Sequence, residues 1–261
     1  MNDEQRRFIA HLLSPTTVED ALTAYYALYH KRTQLFTHGQ EPVVGFLAVC
    51  QTGHDLFTPL VVMRADSDDV LSALLSDHLD EGREYLFAAK EQRASILKRC
   101  LITWDEHYNL IYTVDQASFR PDFRYLVEKI VRRDHSPRFE IRDGESVIAA
   151  AGVNWCSPYF AEVGVCTEEG YRGRGLAKAV ISACTSELLK EGIKPLYIVA
   201  ESNVASIRVC EALGYRFSGY REFSCQGRLG AGNLLKARAS NIVAEENAPP
   251  HKTKEGESSH V

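Results

Sequence analysis

The segment Glu162–Leu189, EVGVCTEEGYRGRGLAKAVISACTSELL, constrains the fold of this chain more than any other stretch. It opens as a strand-like apolar run and turns through Arg172-Gly173-Arg174-Gly175. From about Leu176 it continues as an amphipathic helix to Leu189. The turn therefore sets two arginines and two glycines at the mouth of a helix. Unpaired backbone N–H groups and the helix dipole gather positive potential there. The formal net charge of the 261-residue chain is -5, so this basic turn is a local feature and not part of a general polyanion surface. The ligand it fits is an anion.

Several anion sites use such a turn. A nucleotide-binding P-loop needs Lys followed by Ser or Thr, and Lys178 is followed by Ala179. A dinucleotide fingerprint needs a third glycine that is missing. An RNA-binding Arg-Gly segment is normally repeated, whereas this one is single and lies between strand and helix. A solvated Gly-rich turn and a pyrophosphate cradle are the readings left. In the second, Gly173 and Gly175 admit close backbone approach, where a Cβ would stand in the way.

The rest of the chain alternates strand and helix. Thr17 is placed to cap a helix with Val18, Ala21, Leu22, Tyr25 and Leu28 on one stripe. Pro42–Cys50 and Phe57–Met63 read as buried strands about the turn Thr52–Asp55. Ser67 caps a helix ending near Gly82, and a strand (83–89), a helix (91–101) and a strand (108–114) follow. A second unit begins near Tyr112. Residues 118–133 read as a helix capped by Ser118, with Phe119, Phe123, Leu126, Val127 and Ile130 inward. Residues 138–155 read as a hairpin about Asp143-Gly144. After the segment described above come a buried strand (194–200), a helix opened by Asn203 and closed by Gly214, and one or more strands over 215–225. From Arg238 the periodicity is lost, which reads as a disordered polar tail. The expected division is 1–111, 112–237 and a tail, 238–261.

At this point the chain resembles a known family. Arg172–Ala177 is similar to the [RQ]-x-x-G-x-[GA] loop with which the GNAT superfamily of N-acetyltransferases holds the pyrophosphate of acetyl-coenzyme A. Asn203-x-x-Ser206, followed by Leu213-Gly214-Tyr215, resembles the family's downstream N-x-x-[AS] … G-[FY] element. The resemblance covers roughly residues 112–225. It implies a mixed, mostly antiparallel α/β sheet flanked by helices, with acetyl-coenzyme A as acyl donor, no metal, and the amine of a small molecule or peptide as acceptor. The implied coenzyme contacts are Cys166, Thr167, Arg172, Gly173, Arg174, Gly175, Leu176, Ala177, Asn203 and Ser206. Asn203 also reads as a plain N-cap.

Glu162 is the candidate general base, and a solvent-facing strand glutamate is the alternative. The family often carries a tyrosine in the last helix to protonate the leaving thiolate; the matching residue here is Cys210. The donor is therefore Cys210, Tyr215 (with Tyr220 nearby) or solvent. The first half has no Gly/Arg loop, yet its order of elements echoes the second. It reads either as a degenerate GNAT-like copy or as an unrelated cap that walls the acceptor cleft. A coenzyme-binding sensor or scaffold without turnover is the rival function.

Hydrophobic residues are 45% and charged residues 25% of the chain, as in soluble globular proteins. Seven cysteines without paired spacing suit buried thiols in a reducing compartment, and the charged N-terminus does not read as a signal peptide. The expectation is a cytoplasmic monomer or homodimer with no nucleic-acid or membrane partner.

Overall fold

The computed structural model describes residues 7–53, 57–131 and 136–230. The first strands are β1 (Thr33–His38), β2 (Gly45–Cys50), β3 (Leu60–Ala65), β4 (Tyr85–Lys90) and β5 (Leu101–Thr113). The rest are β6 (Glu128–Val131), β7 (Pro137–Asp143), β8 (Ser146–Cys156), β9 (Phe160–Thr167), β10 (Lys194–Ala200) and β11 (Arg216–Leu229). Among the described residues they form one sheet in the order β1-β2-β3-β4-β11-β5-β10-β9-β8-β7-β6. The helices are α1 (Ala21–Ala24), α2 (Asp68–His78), α3 (Ala94–Cys100), α4 (Leu176–Lys190) and α5 (Val204–Ala212).

Each half follows one plan. Three antiparallel strands lead into a helix, a parallel strand, a second helix and a last strand. The last strands are exchanged: β5 pairs with β10 of the second half, and β11 enters between β4 and β5. The boundary expected at residues 111 and 112 thus falls inside β5, and the sheet runs through it unbroken.

Successive strand residues point to opposite faces, and two layers of core follow. On one face α2 and α3 cover Val61, Met63, Phe87 and Phe223, while α4 and α5 cover Ala149, Val163, Tyr112 and Tyr197. On the other face the N-terminal segment, with Ile9, Ala24 and Ala27, covers Phe46, Val62, Ile111, Trp155, Phe160 and Leu196. The first half therefore packs directly on β8, β9 and β10 of the second.

Several local readings hold. Ser67 Oγ accepts from Val70 N at 3.2 Å at the start of α2, and Asn203 Oδ1 accepts from Ser206 N at 3.1 Å at the start of α5. The hairpin of β7 and β8 is present, with Asp143 still in the strand opposite Ser146 and Gly144 (φ 58°) in the two-residue turn.

Others need correction. Thr17 makes no side-chain cap; its hydroxyl donates to Ser14 O. The segment after it changes winding at Ala21 and again at Tyr25. The buried set becomes Asp20, Ala21, Thr23, Ala24, Tyr26 and Ala27 rather than the expected stripe. Strand β1 has no counterpart in the sequence reading. The largest difference is at 118–131, which is an extended strap ending in β6 and not a helix. Pro121 restricts Arg120 to extended backbone, and Asp115 Oδ1 takes the N–H and hydroxyl of Ser118 that a helix cap would use. Tethers to the second half fix the strap: Arg120 N to Leu213 O at 2.8 Å, Asp122 N to Ser182 Oγ at 2.8 Å, and Tyr125 Oη to Arg174 O at 2.7 Å. Phe119 and Val127 still pack on the core, but Phe123 and Leu126 are exposed and Ile130 is partly so. Residues 132–133 of that expected helix, His54 and Asp55 of the expected turn, and the tail from Arg238 lie outside the described residues.

Candidate active site

Strands β9 and β10 run parallel for three pairs, Phe160↔Lys194, Ala161↔Pro195 and Glu162↔Leu196, and then separate. The remaining edge of β9, from Val163 to Thr167, is paired only with β8. Every other N–H and C=O along that edge faces the gap. The Gly/Arg turn lies at the wide end of the opening.

Gly173 has φ 77° and Gly175 has φ 87°, values that L side chains rarely adopt, so glycine is required there by backbone conformation alone. Gly175 is the N-cap of α4 and brings no side chain to it, which leaves the first helical N–H groups aimed outward. Arg172 is held by Nε to Thr167 O at 3.3 Å. Arg174 bonds Gly170 O at 3.0 Å and lies over the Tyr171 ring at 4.9 Å. Tyr171 Oη in turn donates to Asp143 of the β7–β8 hairpin at 2.7 Å.

All ten coenzyme contacts expected from sequence line one cavity of about 720 Å³. Arg124, from the strap, and Lys178 line it too, two cations that motif reading passes over. The cavity also holds Thr167 Oγ1, a buried hydroxyl with no partner among the described residues. An orphaned polar atom, a helix N-terminus without a cap and four basic side chains suit a ligand with phosphates at one end and amides along its length.

A second cavity of about 440 Å³ opens on the opposite face of the sheet, and Val165, Cys166, Tyr197, Asn203 and Ser206 line both. Glu162 belongs to this second cavity. It alternates with Ala161 and Val163 and so shares the face of Phe160, under the first half's cover. Asn154 Nδ2 donates to its Oε1 at 3.0 Å, and a Cβ on Gly164 would run into that amide. Burial pushes the Glu162 carboxyl up to about 6, against the opposing pull of the Asn154 hydrogen bond. Trp155, its cross-strand partner, stacks on Tyr25 of the first half with centroids 5.2 Å apart and planes at 22°.

Glu222 on β11 is another residue that sequence reading passes over. Burial raises it to about 7, and the charge of Glu162 adds to that rise while Asn109, 3.4 Å away, opposes it.

Neither expected proton donor reaches the cavities. Cys210 is fully buried, donates to Ile207 O at 3.1 Å, and has its thiol pushed up to about 12 by burial. Tyr215 is equally buried against Thr185 Oγ1 at 2.7 Å. Tyr220, the nearby alternative, is exposed at the junction with the first half, and its backbone N–H is held by Ser218 Oγ. The group at the meeting point of the two cavities is Tyr197, whose Oη lies 2.7 Å from Ser206 Oγ. Cys166 and Cys156 are exposed, whereas Cys50, Cys184, Cys210 and Cys225 are buried. Among the described residues no helix is long and apolar enough to cross a membrane.

A sheet that splays beside a glycine-lined helix mouth, with a carboxyl on the far side of the gap, defines the acetyltransferase architecture expected above. The comparisons agree. Residues 135–222 match the model of the GNAT acetyltransferase family, and this part of the chain is a GNAT domain. The fold is shared with a GNAT-family protein of Novosphingobium aromaticivorans (21% identity, 70% of this chain and 89% of that one, TM-score 0.56). It is shared with a GCN5-related N-acetyltransferase-like protein of Streptococcus suis (15%, 86% and 98%, TM-score 0.57). A tandem GNAT protein from the clavulanic acid biosynthesis pathway matches over 88% of this chain and 97% of its own (13%, TM-score 0.58). No curated protein matches the sequence. The family is one of acetyltransferases.

Proposed function

We propose that this chain is an acetyl-coenzyme A-dependent N-acetyltransferase acting on the primary amine of a small molecule or peptide, by direct attack within a ternary complex. The observation that carries this reading is the end of β9–β10 pairing at Glu162 and Leu196. It puts a raised carboxyl, an open strand edge and a phosphate-type helix mouth around one gap. In this reading the turn Arg172–Ala177 cradles the pyrophosphate through backbone N–H groups, with Arg124 and Lys178 adding charge. Cys166, Thr167, Asn203 and Ser206 hold the arm in the splay, and the Thr167 hydroxyl gains the partner it lacks. The thioester supplies an activated acetyl carbonyl.

Glu162 takes a proton from the arriving ammonium, a task suited to a carboxyl near 6 that is ionised at neutral pH yet more basic than an exposed one. Free N–H groups on β9 face the carbonyl oxygen as it gains charge. Tyr197, kept protonated by burial and hydrogen-bonded to Ser206, is the donor placed for the departing sulfur. The halves, 1–111 and 112–237, are in this reading two copies of one plan, of which only the second keeps a coenzyme site.

The test has two parts. Acetyl-coenzyme A at saturation is expected to raise the melting temperature, because it binds only the folded chain. Release of free thiol is then followed across a panel of amines. Absence of a shift defeats the coenzyme reading. A shift without thiol release from any amine leaves a coenzyme-binding sensor instead.

A further inference from the structure

The second cavity has a charge pattern of its own. Among its described lining residues there is one cation, Arg138, and one carboxylate, Glu162. They share a face of the sheet. Arg138 is opposite Gly152 on β8, and Gly152 is opposite Gly164 on β9, two residues along from Glu162. Two strand spacings amount to roughly 10 Å and two residues to roughly 7 Å, so the two Cα atoms are roughly 12 Å apart. Between them lie Gly152 and Gly164, which bring no side chain, and the Asn154 amide, which rests against Gly164 and bonds Glu162. Arg138 is fixed from behind: its Nε meets Glu140 at 2.6 Å, and the other oxygen of Glu140 is taken by Arg142 at 2.6 Å. Arg142 has one further carboxylate, Glu128, at 3.9 Å. Among the described residues nothing bonds the terminal nitrogens of Arg138. They form the planar fork that pairs best with a carboxylate.

We infer that the acceptor is an α-amino acid or a close amino-carboxylate analogue, its ammonium at Glu162 and its carboxylate on the guanidinium of Arg138. This rests on the transferase reading above and narrows its acceptor. The two protein charges, opposed across Gly152 and Gly164, complement a zwitterion whose charges are two bonds apart. A diamine would bring a cation to Arg138, and an uncharged amine would leave the guanidinium unanswered.

The experiment compares three acceptors with a common side chain, the amino acid, its carboxamide and the amine without the carboxyl group, on the parent and on Arg138→Gln and Arg138→Lys. The expected result is kcat/KM about 10- to 100-fold higher for the carboxylate form, mostly through KM. Arg138→Gln removes that preference, bringing kcat/KM for the amino acid down to that for its carboxamide, while Arg138→Lys keeps part of it. Equal turnover of the three acceptors by the parent, or a preference that survives Arg138→Gln, overturns the inference. A readout without turnover separates it from the transferase reading. Calorimetry on the coenzyme A-loaded protein compares an N-acetylated amino acid with its carboxamide, neither of which engages the base. Tighter binding of the carboxylate, lost in Arg138→Gln, supports Arg138 even if no amine is acetylated; equal binding sinks it.

Discussion

The two halves contain the same opening, and only one of them is open. In the first half β3 and β4 run parallel for three pairs, Leu60↔Leu86 to Val62↔Ala88, and then separate as β9 and β10 do. What differs is the chain that fills the gap. The link from β3 to α2 is two residues, Asp66 and Ser67, and the helix that follows opens with a Ser67 cap, Asp68 and Asp69. Arg93 closes the gap, bonding Ala65 O and Asp68. The link from β9 to α4 is eight residues, 168–175, with two left-handed glycines, no side-chain cap and no acid in the first turn. One helix mouth is satisfied by its own side chains, and a phosphate there would meet carboxylates. The other is left unsatisfied and faces cations. The plan of strands sets where an opening falls; the link and the first helical turn decide whether a ligand can use it.

The comparison breaks most sharply at Glu162. Glu162→Gln keeps the shape and the Asn154 contact but removes the base, so kcat is expected to fall by about 100-fold or more with coenzyme affinity unchanged. The parent's rate is expected to rise with pH through about 6, where Glu162 loses its proton, and this acidic limb should vanish or move in the variant. Parental turnover in Glu162→Gln would place the base elsewhere.

At the helix mouth, Gly175→Val adds a side chain both to a φ of 87° and to the space beside the Arg124 guanidinium. Strain of about 1–2 kcal/mol in the fold is expected, with a larger loss in coenzyme binding measured by calorimetry. Equal losses would mean that the glycine serves only the turn. Arg172→Ala, at a solvent-screened rim, is expected to weaken binding only several-fold. In the first half, Arg93→Ala should lower stability without creating a second site, so calorimetry still finds one coenzyme per chain. A stoichiometry of two would show that Arg93 alone separates the halves.

Glu222 tests the junction between them. Its carboxyl is raised to about 7 from an ordinary 4.5, so between those values the folded chain holds a proton that the unfolded chain has released. Its contribution to stability is fully present below about 4.5 and is lost as pH rises through about 7. Melting curves at pH 5.5 and 8 should therefore show a smaller drop for Glu222→Gln than for the parent. The smallest effect is at Cys210. Cys210→Ala removes a buried thiol, with a modest loss of stability and near-normal turnover expected. A selective loss of turnover would restore Cys210 as the donor.

What could be read in advance follows from how local each cause is. Asp143-Gly144, the apolar run KPLYIVA and the Asn203 cap act within a few residues, and each holds. The strap at 118–131 has helical spacing of apolar residues, but Pro121 and its bonds to Leu213, Ser182 and Arg174 override that pattern from far along the chain. Strand β1, with Gln34, Thr37 and His38 among its six residues, is too polar to register as buried. The loop Arg172–Ala177 carries its chemistry in its own sequence. Tyr197, Arg138 and Arg124 join the cavities only through strand divergence, cross-strand register and the strap, none of which a linear motif records.

The exchange of last strands bears on how the molecule is made. During synthesis from the N-terminus β4 and β5 emerge early, yet their shared partner β11 is among the last described segments to leave the ribosome. Until residues 216–229 arrive, the apolar strand YLFAAK has an unpaired edge and the first half's core lacks Phe223 and Cys225. Exposed edges of this kind invite pairing with other chains. A premature stop before residue 216 would therefore split the sheet between β4 and β5 and leave both of those strands with an unpaired edge.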